Sequence, residues 1–96
     1  MIQVRVRLMG TIREAAGRSD VELSLEEGAD VSTVIQELID EHGEEFEWAL
    51  LDPIIRSALP STLILINGVE IGNLQGLDTS LWDGDKLVLL PVTHGG

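Results

Sequence analysis

The chain has 96 residues, enough for one domain around one hydrophobic core. Its 17 acidic and 6 basic residues give a net charge of −11, which argues against a protein that grips nucleic acid through lysine and arginine contacts to phosphates. It has no cysteine, so disulfides, thiolate metal sites and a cysteine nucleophile are excluded, and any sulfur chemistry must use sulfur brought by a partner. Acidity of this degree keeps a chain soluble and steers a basic partner toward it. No apolar run reaches the ~20 residues needed to span a bilayer, and no basic-then-apolar leader opens the chain, so a cytoplasmic location is expected.

Residues 2–9 alternate, with Ile2, Val4, Val6 and Leu8 set against Gln3, Arg5, Arg7 and Met9, which predicts a half-buried strand with Arg5 and Arg7 on its outer side. Thr11 and Glu14 have the spacing of a capping box, predicting a helical turn over 13–16 that Gly17 stops. Val21, Leu23 and Leu25 alternate with Glu22, Ser24 and Glu26 in a second strand, expected to pair antiparallel with the first. Asp30 or Ser32 then caps a helix whose one face carries Val31, Val34, Ile35, Leu38, Ile39 and His42. Gly43 can end it. A second helical piece over 44–51 turns Phe46 inward, Asp52-Pro53 stops it, and 53–60 form a loop closed by Pro60.

Thr62 to Ile66 is a third strand without alternation. Asn67-Gly68 is a turn signal, and Val69-Glu70-Ile71 a short edge strand. Over 72–82, Leu74, Leu77 and Leu81 are expected to point inward. Asp83-Gly84-Asp85 is a sharp turn into the last strand, 86–90, where pairing should fade at Pro91 because proline has no N–H.

One main helix covers only one face of a sheet, yet the third and last strands are apolar on both parities. Part of one face should therefore be open and apolar, as docking sites often are. The sequence leaves open which parity faces out; Leu63, Leu65, Val88 and Leu90 stand as the candidate partner-binding set. The plain alternative is that the second helical piece or a loop covers this face.

No residues offer catalysis by the chain alone. His42 and His94 lie far apart with no metal-ligand spacing, and His42 is expected to end its helix with its ring partly on the core. Glu44, Glu45 and Glu47 read as solvated surface. No glycine loop cradles a phosphate, so the chain is expected to bind no cofactor and no metal. Ser and Thr residues lack a base beside them. What remains is the end of the chain, Thr93-His94-Gly95-Gly96. Four extended residues reach roughly 13–14 Å, enough to enter another protein's active-site channel. Gly95 and Gly96 add no Cβ, so they thread where other residues would not. The terminal carboxylate is ionised at pH 7 and a poor acyl donor until a leaving group is attached. A flexible tail of this kind suits a substrate or carrier better than a catalyst.

Several segments together resemble the MoaD/ThiS and ubiquitin-related-modifier group of small β-grasp sulfur carriers. These are Leu8 with Arg13-Glu14-Ala15-Ala16-Gly17, Val31-Ser32-Thr33-Val34 with Leu38, Ile66-Asn67-Gly68, Leu81 with Asp83-Gly84-Asp85-Lys86, and Pro91-Val92-Thr93-His94-Gly95-Gly96. The resemblance implies an α+β, ubiquitin-like β-grasp domain over 1–96, with a mixed four- to five-stranded sheet packed on one main helix and a flexible tail at 93–96. It implies that a ubiquitin-activating-type enzyme, using ATP, adenylates the carboxylate of Gly96, with Gly95 giving clearance and Thr93 and His94 contacting the partner. A sulfur donor then yields a thiocarboxylate that supplies molybdopterin synthesis or tRNA thiolation; in some relatives the activated end is joined to a lysine of a target protein. The chain departs from the molybdopterin carriers in having Leu90-Pro91 where they usually have Pro-Pro, and His94 where they have a small residue. Its His-Gly-Gly ending is closer to the ubiquitin-related modifier. Two alternatives stand beside this reading: a dedicated small subunit of molybdopterin synthase, its tail held by the large subunit, and a non-catalytic β-grasp binding module whose tail is idle.

Overall fold

The computed structural model describes residues 1–51 and 62–92. The stop at Asp52-Pro53, the loop over 53–60 and the tail over 93–96 lie outside the described residues.

Strand β1 spans Ile2–Leu8, with Ile2, Val4, Val6 and Leu8 buried and Gln3, Arg5 and Arg7 exposed, as alternation requires. Helix α1, Gly10–Ala16, begins earlier than expected, and Thr11 does not cap it. The reason is tertiary. The Met9 N–H donates to the Leu89 carbonyl (3.1 Å), which holds the chain at the end of β1, so the turn must start at once. Gly10 makes that turn at φ +57°, and a Cβ there would lie 2.9 Å from Pro91 Cγ. Met9 occupies the N-cap position with no side-chain hydrogen bond. The helix ends as expected on Gly17, in the left-handed region.

Strand β2, Asp20–Leu25, pairs antiparallel with β1 from Ile2↔Leu25 to Arg7↔Asp20. Helix α2, Val31–His42, is capped by Asp30 rather than Ser32: Asp30 accepts the Thr33 N–H at 2.9 Å, and Thr33 answers with its hydroxyl near the Asp30 N–H. Val31, Val34, Ile35 and Leu38 of α2 are buried. Helix α3, Glu44–Leu50, adds Phe46 and Leu50, both fully buried. His42 ends α2 with Nδ1 2.8 Å from the Leu38 carbonyl and its ring 4.9 Å from Phe46. A carbonyl only accepts, so the ring proton sits on Nδ1.

Strand β3, Thr62–Ile66, turns through Asn67 and Gly68, both at positive φ, into β4, Val69–Glu70. Ile71 belongs to the 3-10 turn that follows rather than to the strand, and it is fully buried. Leu81 is buried and Leu77 packs against the core, but Leu74 does not turn inward and remains 45% exposed. Ile71 holds the apolar anchor of that turn, which leaves Leu74 past the core's edge. Strand β5, Lys86–Pro91, ends on its proline.

The five strands lie in the order β2-β1-β5-β3-β4. β5 runs parallel to β1 and antiparallel to β3, so the last strand enters the middle of the sheet. The inner face carries the alternate residues of β1, β2, β3 and β5, packed with Phe46, Leu50 and the buried side of α2 into one core cluster. Thr62, the one buried polar residue among those described, donates its hydroxyl to the Leu50 carbonyl at 2.9 Å, which ties α3 to that same side.

Candidate functional site: the outer sheet face and the end of the last strand

The position of β5 is set by two short motifs that lie far apart in sequence. Asp83 accepts the Gln3 N–H at 2.7 Å, and the Gly84 N–H donates to the Gln3 carbonyl at 2.8 Å. This clamps the turn before β5 onto the start of β1. Asp85 accepts from the Trp82 N–H and from the Asn67 side-chain amide, each at 2.9 Å. The Asn67 amide oxygen in turn accepts the Lys86 N–H at 3.0 Å. Asp83 is thus more than a turn former. The Asp-Gly-Asp and Asn-Gly segments form one hydrogen-bonded junction that sets the register of β5 against both neighbours.

That register decides which apolar parity faces out. Ile64, Ile66, Leu87 and Leu89 are buried beneath the helices. Leu63, Leu65, Val88 and Leu90 are half-buried on the opposite face, with Leu65 directly across from Val88 and Leu63 across from Leu90. The four residues singled out from sequence therefore meet as one apolar patch. α3 lies on the inner side, so it does not cover them; the loop over 53–60, the other cover the sequence offered, lies outside the described residues. Beside the patch stand Lys86, paired in register with Arg5, and Arg7, paired in register with Val88. Alternation places Arg5 and Arg7 outward, but the adjacency of Lys86 is absent from any local pattern, because it depends on β5 pairing with β1.

Thr93, His94, Gly95 and Gly96 lie outside the described residues. What is described is the point from which they continue: Pro91, across from Thr62 and against Gly10, and then Val92, exposed at the sheet's end. No cluster of histidine, aspartate or glutamate suited to a metal ion occurs among the described residues. No helix among them is long and apolar enough to cross a membrane.

A mixed sheet with its first and last strands parallel at the centre, crossed on one face by a main helix, defines a ubiquitin-like β-grasp protein. The ThiS family profile matches residues 6–96, and the chain belongs to that family, among the small archaeal modifiers and sulfur carriers. Small archaeal modifier protein 3 from Haloferax volcanii is 27% identical over 95 residues, covering 99% of this chain and 100% of the relative. The solution structure of small archaeal modifier protein 1 from Methanosarcina acetivorans is 34% identical, with a TM-score of 0.82 over 100% of this chain and 98% of that one. The putative molybdopterin converting factor, subunit 1, from Pyrococcus furiosus is 28% identical, with a TM-score of 0.76 over 97% of this chain and 100% of that one. The family resemblance and the β-grasp fold read from the sequence are both borne out, with five strands in the sheet.

Proposed function

We propose that this chain is a carrier whose Gly96 carboxylate is activated by a separate ATP-using enzyme and loaded with sulfur. A carboxylate oxygen attacks the α-phosphorus of ATP and pyrophosphate leaves. A persulfide sulfur then attacks the acyl carbon and AMP leaves. A second thiol takes the donor's sulfur into a disulfide, freeing a thiocarboxylate on Gly96. That group supplies sulfur to molybdopterin synthesis or tRNA thiolation, and the activated acyl end can instead pass to a lysine amine of a target protein. Gly95 gives the tail clearance, and Thr93 and His94 contact the enzyme's channel. Leu63, Leu65, Val88 and Leu90 dock the activating enzyme. The observation that carries this reading is the family match, which runs through residue 96 and so takes in the Gly-Gly pair. The chain binds neither ATP nor metal itself in this scheme; both ATP and the sulfur donor belong to the partner.

Incubation with the source organism's activating enzyme, ATP and a sulfur donor should replace one oxygen by sulfur in the C-terminal peptide, read by intact and peptide mass. Neither sulfur nor an AMP adduct on the wild-type chain would overturn the proposal. A second reading, the small subunit of a molybdopterin synthase, is favoured by the likeness to the Pyrococcus furiosus putative molybdopterin converting factor, subunit 1. Stable co-purification with a large subunit, and no conjugates in lysate, would select it. Full function after deletion of Gly95-Gly96 would leave only a binding module with an idle tail.

A further inference from the structure

We infer that the outer sheet face receives a partner segment that is acidic where it meets Arg5, Arg7 and Lys86 and apolar where it meets Val88, Leu65, Leu63 and Leu90. The inference rests on the proposed reading of this face as the docking side for the activating enzyme, and it names the chemistry of the surface that docks there.

Charge placement is the first observation. The whole chain has six basic residues, and three of them line one hollow of about 310 Å³ on this face, together with Asp20, Leu87 and Val88. Within this hollow three cations stand beside one carboxylate, Asp20, with Glu22 facing Arg5 from β2 in the adjoining hollow, in a molecule whose net charge is −11.

The register is the second. Arg5 and Lys86 are direct partners across the parallel β1–β5 pair, and both are exposed. Like charges on neighbouring strands repel one another. Arg7 has a carboxylate to offset it, Asp20 at 3.4 Å, and on the helical side Arg18 has Glu41 at 2.9 Å. Among the described residues neither Arg5 nor Lys86 has an ion pair within 4 Å; Glu22, in register with Arg5 on β2, stands farther off. Lys86 is thus left with no ion pair within the described residues, and Arg5 with only the register partner Glu22, beyond ion-pair distance.

Continuity is the third. Arg7 is in register with Val88, and Val88 with Leu65, so the cationic strip and the apolar patch adjoin along one row of the sheet. A partner that covers the patch also covers the strip. Carboxylates are the groups that relieve it, and in a partly desolvated contact they bond guanidinium and ammonium groups strongly. Charges separated by more than about 8 Å are screened at physiological salt, so the strip is read at contact, beneath the long-range repulsion between an acidic protein and an acidic segment. Such a site gives specificity, because a partner lacking the carboxylates would bury two unpaired cations.

The test uses the adenylating enzyme that modifies the wild-type chain. Its KM and kcat for this substrate are compared for wild type, R5E/K86E, R5Q/K86Q and R13E/R18E. The first and last variants change the net charge equally. R5E/K86E should raise KM by about tenfold or more with kcat nearly unchanged, as expected when contact charges are reversed. R5Q/K86Q should raise KM by a smaller factor, and R13E/R18E should move it less than about twofold. An unchanged KM in R5E/K86E, or an equal rise in R13E/R18E, overturns the inference. So does a single-stranded RNA 20-mer that binds wild type and not R5E/K86E while KM stays the same, since the strip would then serve phosphate. If wild type itself is never adenylated, the proposed function falls and takes this inference with it. That result is distinct from the others, in which wild type is modified normally.

Discussion

Where β3 and β5 lie side by side, the two faces of the sheet are built from nearly the same residues and have opposite fates. On β3 and β5, Ile64, Ile66, Leu87 and Leu89 are buried, while Leu63, Leu65, Val88 and Leu90 are only partly buried. Hydrophobicity does not separate the two sets; the junction of Asn67 with Asp85 and Lys86, and of Asp83 with Gln3, does. A one-residue slip in β5 would exchange the sets, because side chains alternate with period two. Hydrogen bonds that fix the register, and not a difference in side-chain hydrophobicity, hold these apolar side chains on the outer face.

Truncation should break the symmetry of the two faces most visibly. Leu89→Ala, at a fully buried position, should cost about 2–5 kcal/mol in urea unfolding. Leu65→Ala should cost only about 1 kcal/mol, since less apolar area is involved, while weakening capture by the activating enzyme. Equal costs would show that the outer face is covered in solution. Next, Gly10→Ala should cost about 1–2 kcal/mol, because residue 10 takes a left-handed conformation and an added Cβ would press on Pro91; a neutral result in the same urea titration would mean that this end of the sheet relaxes freely. On the covering helix, Asp30→Ala should cost about 1 kcal/mol through loss of the cap on α2. Ser32→Ala should stay within about 0.5 kcal/mol, and thermal melts of the two variants would separate them. The smallest effect belongs to Arg18→Ala, which removes an exposed ion pair to Glu41 and should change stability by at most ~1 kcal/mol, an effect that disappears in high salt.

Much of this was legible in the chain itself. Clean alternation marked β1 and β2 and put Arg5 and Arg7 outward, and the 3.6-residue spacing from Val31 to Leu38 marked α2 and its buried side. Asn67-Gly68 and Gly17 ended their elements as glycine and asparagine chemistry predicts. The early start of α1 was not legible, because it depends on a hydrogen bond from Met9 to Leu89, eighty residues away. Leu74 was misplaced for a similar reason: an irregular stretch has no period, and Ile71 took the core position.

The sequence by itself determined the identity of the strands and the main helix, and it carried the family in a handful of short motifs, since periodicity and turn chemistry are local properties. Only the tertiary structure decided the orientation of β3 and β5 and the meeting of Arg5 with Lys86 beside an apolar patch. The reason is that a strand apolar on both sides holds no local record of which side is in; that choice is made by hydrogen bonds to strands distant in the chain.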